Sequence, residues 1–190
     1  FRFNFFEAEF HSADELEFEA EHSIDRPIED FEIADGIVIP AGDYAWTEGS
    51  MILTMARKRT VAVQTILTAG EFYDGNRQRA SIEIDYLPNK HLSLELEYQI
   101  NRIRLPAGGF DTHLASARMA WKFTPDLTWS HLLQYDSISD TMGFQSVLRW
   151  EYQPGSELFA VVNQAYAHED RGFRTTDEEF AVKLGANLRF

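Results

Sequence analysis

Apolar and polar residues alternate at period two along most of this chain, in runs longer than ordinary strands. The last run, residues 178–190, is the clearest. Phe180, Val182, Leu184, Ala186, Leu188 and Phe190 share one parity, and Glu179, Ala181, Lys183, Gly185, Asn187 and Arg189 share the other. Strands of globular proteins usually run about five or six residues. This run is about twice that, the length a tilted strand needs to cross a bilayer, although a half-buried strand of a soluble sheet alternates in the same way.

Earlier segments repeat the pattern. Phe6, Ala8 and Phe10 alternate with Glu7 and Glu9; after a turn at 12–14, Leu16, Phe18 and Ala20 alternate with Glu17, Glu19 and Glu21. Residues 23–43 break the rhythm with Pro27, Gly36, Pro40 and Gly42. They still hold Phe31, Ile33, Ile37, Val38 and Ile39, so this long loop is expected to fold onto something. Strands are predicted at 44–57 and 60–71, joined at 57–59, and at 79–87, where Ile82, Ile84 and Tyr86 oppose Ser81, Glu83 and Asp85. Beyond a turn at Pro88 and Asn89, Leu92, Leu94, Leu96, Tyr98 and Ile100 oppose Ser93, Glu95, Glu97, Gln99 and Asn101. A second Pro/Gly loop at 103–111 leads to Ala115, Ala117, Met119, Trp121 and Phe123 against Ser116, Arg118 and Lys122. Further strands follow at 127–136, 144–152 and 157–167, the last with apolar residues on both parities and so without assignable faces. A loop at 168–177 precedes the closing strand.

About eleven strands at even spacing, with tight turns (57–59, 87–91, 124–126, 153–156) alternating with long loops (23–43, 103–111, 168–177), match outer-membrane barrels. Rings strengthen the match. Tyr86, Trp121, Trp129, Trp150, Tyr152 and Phe190 sit on apolar faces near the tight turns or the chain's end, as membrane-interface aromatics do. The predicted fold is all-β, an antiparallel transmembrane β-barrel of a Gram-negative outer membrane. Residues 1–190 are read as the C-terminal portion of a larger barrel, because eleven strands ending at the periplasmic edge leave the first one starting outside. Loops 23–43, 72–77, 103–111, 136–141 and 168–177 are expected outside the cell. The expected partners are membrane lipid and lipopolysaccharide, the barrel assembly machinery through the strand ending at Phe190, and a protein or glycan at loop 23–43.

Composition changes this picture little. No run approaches the roughly 20 apolar residues of a membrane helix, and a net charge of −14 argues against nucleic acid. With no cysteine, disulfides and thiolate metal sites are excluded.

Four segments, 103–110, 123–127, 134–141 and 148–159, the last with Trp150, Tyr152, Pro154 and Gly155, resemble a family of large bacterial outer-membrane proteins. In that family a family 9-type carbohydrate-binding module precedes a C-terminal barrel domain of unknown function. The resemblance implies location and architecture. It supplies no catalytic residue, and the sugar-binding module is not part of these residues.

Charges on the polar parity are the functional clue. Glu17, Glu19, Glu83, Asp85, Glu95 and Glu97 are expected to line a pore on its acidic side. Arg118, Lys122, Arg149, Lys183 and Arg189 line its basic side, with Glu151 the exception. Such a lumen would carry a transverse field and pass polar solutes, saccharides among them. Two alternatives stay open: the charges pair and fill the interior, or a closed barrel docks a partner through its loops. No enzyme is expected, since Ser130 and His131 are neighbours and point to opposite faces. His131, on the apolar parity, is expected to be neutral or in contact with protein. No cofactor or metal is expected: the histidines lack ligand spacing, and the acidic outer loops hold no twelve-residue calcium pattern.

Overall fold

In a computed structural model, residues 1–169 and 172–186 are described. They form β1 (Arg2–Glu9), β2 (Glu15–Asp25), β3 (Phe31–Ala34), β4 (Ile37–Ile39), β5 (Tyr44–Thr54), β6 (Val61–Phe72), β7 (Gly75–Asn89), β8 (Leu92–Leu105), β9 (Gly108–Thr124), β10 (Leu127–Asp136), β11 (Thr141–Gln153), β12 (Ser156–Glu169) and β13 (Gly172–Gly185). Among the described residues there is no helix. Eleven strands make one sheet in the order β1-β2-β5-β6-β7-β8-β9-β10-β11-β12-β13, and β3 and β4 make a small sheet of their own. The fold class is all-β and antiparallel, as the alternation predicts.

The chain separates into two compact units. One comprises Phe1–Lys58, Ala62–Glu83 and Tyr98–His113; the other Arg59–Val61, Ile84–Glu97 and Leu114–Phe190.

Local side chains make the turns. Asn89 Oδ1 accepts from the amides of His91 and Leu92 at 2.8 and 3.1 Å, so the chain reverses at 90–91. Thr124 Oγ1 accepts from Asp126 N, and Asp136 Oδ1 from Ile138 N. These are the short-range bonds by which Asn, Asp and Thr close turns.

Several boundaries differ from expectation. Pro88 and Asn89 belong to β7 and do not turn the chain. Residues 103–111 are no loop: β8 runs to Leu105 and β9 starts at Gly108, leaving two residues between them. Nor is 168–177 a loop, because β12 and β13 stay paired as far as Glu169 and Gly172. The ladder bonds come from the backbone, so strands continue through polar and glycine-containing sequence once paired. The joint expected at 57–59 widens to the six residues between Thr54 and Val61. Arg189 and Phe190, with the end of the closing run, lie outside the described residues.

Candidate functional site

Register sorts the residues of the first unit onto two faces. Across β1, β2, β5 and β6, Glu17 pairs with Glu7 and Ile52, Glu19 with Asn4 and Ser50, Glu21 with Arg2 and Glu48, and Ser50 with Thr68. Paired residues point the same way, so the acidic side chains of β1 and β2 share a face with Tyr44, Trp46, Glu48, Thr68 and Phe72. Arg77 joins this face, donating from Nε to Glu48 Oε1 at 2.8 Å and from Nη2 to Glu48 Oε2. Arg79 reaches Thr68 Oγ1. Glu19 and Glu21 hold Arg2 at 3.7 and 3.1 Å, and Glu83 holds Arg57 at 3.6 Å. The opposite face leaves Leu53, Leu67, Ile82 and Tyr98 exposed.

The segment expected to fold onto something does so here. Its hairpin β3–β4 turns at Asp35 and Gly36, the residue pair that two-residue hairpins favour. Glu32 Oε1 accepts from Gly36 N at 2.6 Å, and Asp30 Oδ1 from Ala41 N at 2.8 Å. Ile37 and Ile39 are buried against Trp46, Phe72, Ile103 and Leu105, with Phe31, Ile33, Tyr44, Tyr73 and Phe110 around them. Trp46 and Phe72 lie on the charged face, so the hairpin covers that face and not the apolar one. Beside the cluster, Tyr73 stands at φ 51°, a strained value for a bulky side chain. Its ring contacts Trp46 at 4.8 Å, Phe72 at 4.9 Å and Tyr44 at 5.0 Å, and its hydroxyl donates to Asp25 Oδ2 at 2.6 Å. Burial, with Asp25 as acceptor, pushes the Tyr73 hydroxyl up to about 12.

In the second unit, Lys122 pairs with Thr128, Arg118 with Leu132, Ser116 with Gln134 and Thr128 with Arg149. Arg149 then pairs with Phe159, and Phe159 with Lys183. This register settles β12: Glu157, Phe159, Val161 and Asn163 share the charged face, while Leu158, Ala160, Val162 and Gln164 share the other. The other face exposes Trp121, Trp129, Leu133, Trp150, Phe180, Val182 and Leu184. Trp129 and Trp121 are register partners, and Trp129 Nε1 donates to Ser146 Oγ at 2.9 Å. Trp150 packs on Tyr152 at 5.9 Å, whose hydroxyl donates to Gly185 O. Tyr86 is exposed on the same parity of β7 as Ile82. His131 contacts Trp129 at 4.6 Å and Phe144 at 5.9 Å, the protein contact expected of it.

Two clean walls of charge do not form. In the first unit Arg2, Arg77 and Arg79 sit among the carboxylates. In the second, Glu157 and Glu179 sit with Arg118, Arg149 and Lys183, and Arg149 donates to Glu157. Opposite charges one strand apart attract, and pairing mixes the signs locally. Asp85, Glu95, Glu97, Arg118, Lys122 and Lys183 make no ion pair among the described residues.

No family model matches the chain, and no curated protein matches it. Among solved structures the chain is similar to a NanC porin determined in a rhombohedral crystal form, at 10% identity and a TM-score of 0.39, with 98% of each chain covered.

Sequence reasoning missed Trp46, Glu48, Arg77 and Arg79. On β5 the charged-face positions read Tyr44, Trp46, Glu48, Ser50, Ile52 and Thr54, a mixture with no polar periodicity to find. For Arg77 and Arg79 the signal existed: they continue the parity of Ser81, Glu83 and Asp85.

Proposed function

We propose that the sheet closes as a transmembrane β-barrel of a bacterial outer membrane and that its charged face lines a passage for polar solutes. The observation that carries this reading is the uncovered apolar face. In each unit large apolar residues are exposed on one face and charges share the other, and in the second unit Asp85, Glu95, Glu97, Arg118, Lys122 and Lys183 make no ion pair among the described residues. A water-soluble sheet covers its apolar face with a core. Lipid against the exposed rings and water against Asp85, Glu95, Arg118 and Lys122 remove both costs, since an unpaired charge in a dry interior costs several kcal/mol. The resemblance to the C-terminal barrel domain of module-bearing outer-membrane proteins fits this location, and saccharides fit a lumen rich in carboxylates, hydroxyls and amides. The end of the barrel that bears the β3–β4 hairpin faces outward.

A second reading has its own support: the hairpin covers part of the charged face, as it would in a closed barrel that docks a partner through its outer loops. Single-channel recording of the chain in planar bilayers separates the two. Discrete conductance that turns more cation-selective in Arg118→Glu and Arg149→Glu supports the passage. Absence of conductance, or selectivity indifferent to both reversals, overturns it in favour of the docking barrel.

A further inference from the structure

Within the second unit a recess of about 430 Å³ opens beside Glu97, Ser116, Gln134, Asp136, Thr141 and Gly143. Its volume is in the range of small-molecule sites. The register explains how it forms. Ser116, Gln134 and Gly143 lie side by side across β9, β10 and β11, and Asp136 and Thr141 form the next row. Ser116 and Gln134 point the way Arg118 and Lys122 do, so the recess is cut into the charged face. Gly143 makes the notch: a Cβ built there meets nothing within 4 Å. The side chains of Glu97, Ser116 and Gln134 have no hydrogen bond or ion pair within the described residues. Asp136 accepts from Ile138 N with one carboxylate oxygen, and among the described residues Thr141 Oγ1 bonds only to the neighbouring Ser139 hydroxyl.

The chemistry of this lining is specific. Glu97 and Asp136 are acceptors only, Gln134 and the two hydroxyls both donate and accept, and among the described residues the lining contains no Lys, Arg or His. A ligand that satisfies it must bring donors and positive charge, with acceptors of its own for the amide and hydroxyls. A simple metal ion fits poorly, since no group of three or more metal-ligating side chains occurs among the described residues.

We propose that this recess is a binding site for a small hydroxylated organic cation, of the amino-sugar type, held by Glu97 and Asp136 through its ammonium group and by Ser116, Gln134 and Thr141 through its hydroxyls. The proposal deepens the passage reading by giving the lumen a preferred solute class, and it rests on that reading only for how the solute reaches the site.

Calorimetric titration of the detergent-solubilised chain tests it with glucosamine as the probe, glucose as the neutral control and gluconate as the anionic one. Glucosamine should bind at least tenfold more tightly than glucose, and gluconate should not bind. Glu97→Gln and Asp136→Asn should each weaken glucosamine by about tenfold, the ratio one charge-assisted hydrogen bond supports. Gly143→Leu should abolish binding while leaving the melting transition in place, because its side chain enters empty space. Equal binding of glucosamine and glucose, no binding of either, or full binding by the Gly143→Leu variant overturns the proposal. Binding without conductance leaves the site standing and sinks the passage; conductance without binding does the reverse.

Discussion

Replacing Ile39 by Ala should release the β3–β4 hairpin while the eleven-stranded sheet stays folded. Ile39 is 1% exposed, the most deeply buried large side chain among the described residues. It packs in the cluster of Trp46, Phe72, Ile103 and Leu105. Truncation removes about three buried carbons at roughly 0.8 kcal/mol each, and the cavity left behind brings the cost to about 3 kcal/mol, within the range seen for such changes. A two-stranded hairpin is at best marginal by itself, so its docked state depends on this packing. At about 1.4 kcal/mol per tenfold, the loss shifts the docked-to-undocked ratio by about a hundredfold. Native-state hydrogen exchange of the β3 and β4 amides reads this directly. Their protection should fall by about that factor in Ile39→Ala and by no more than about tenfold in Ile39→Val, for which about 1 kcal/mol is expected. Amides of β10 and β11 should not change. If the hairpin amides keep their protection, or if β10 and β11 lose theirs in parallel, the hairpin is not an independently docked element and the reasoning fails.

Two further outcomes follow from the same region. The raised Tyr73 hydroxyl means that the folded state favours the neutral phenol. Its contribution is therefore whole below about pH 10 and is lost as pH climbs through about 12; phenolate absorbance should show a late-titrating component that shrinks by one tyrosine in Tyr73→Phe, and the protection factors of the hairpin amides, taken against the unstructured-chain rate at each pH, should fall in that window. Glu48→Gln leaves Arg77 half-buried without its charge partner and should destabilise the first unit by about 3 kcal/mol in denaturant titration, whereas pairing it with Arg77→Met should recover most of that loss. An unchanged midpoint in Glu48→Gln would show that water already screens the pair.

The alternation of the sequence determined which segments are strands and which face of most strands is apolar, because side-chain direction along a strand is a local property of the pleat. It placed Trp121, Trp129 and Trp150 on the exposed apolar face and Arg118, Lys122 and Arg149 opposite them without any knowledge of pairing. Everything that depends on a neighbour across the ladder had to wait for the tertiary structure. The faces of β12 became assignable only when Arg149 was found beside Phe159. The 103–111 segment looked like a loop because Pro106 and Gly108 punctuate it, and 168–177 because it lies between two strand-like runs, yet backbone bonds to a partner strand carry polar sequence as readily as apolar. The apolar content of 23–43 showed that it must bury something, but not that Ile37 and Ile39 would choose the charged face at Trp46 and Phe72. The recess at Gly143 likewise exists only because three strands bring Ser116, Gln134 and a missing side chain into one row, and a row across strands leaves no trace in the order of residues along the chain.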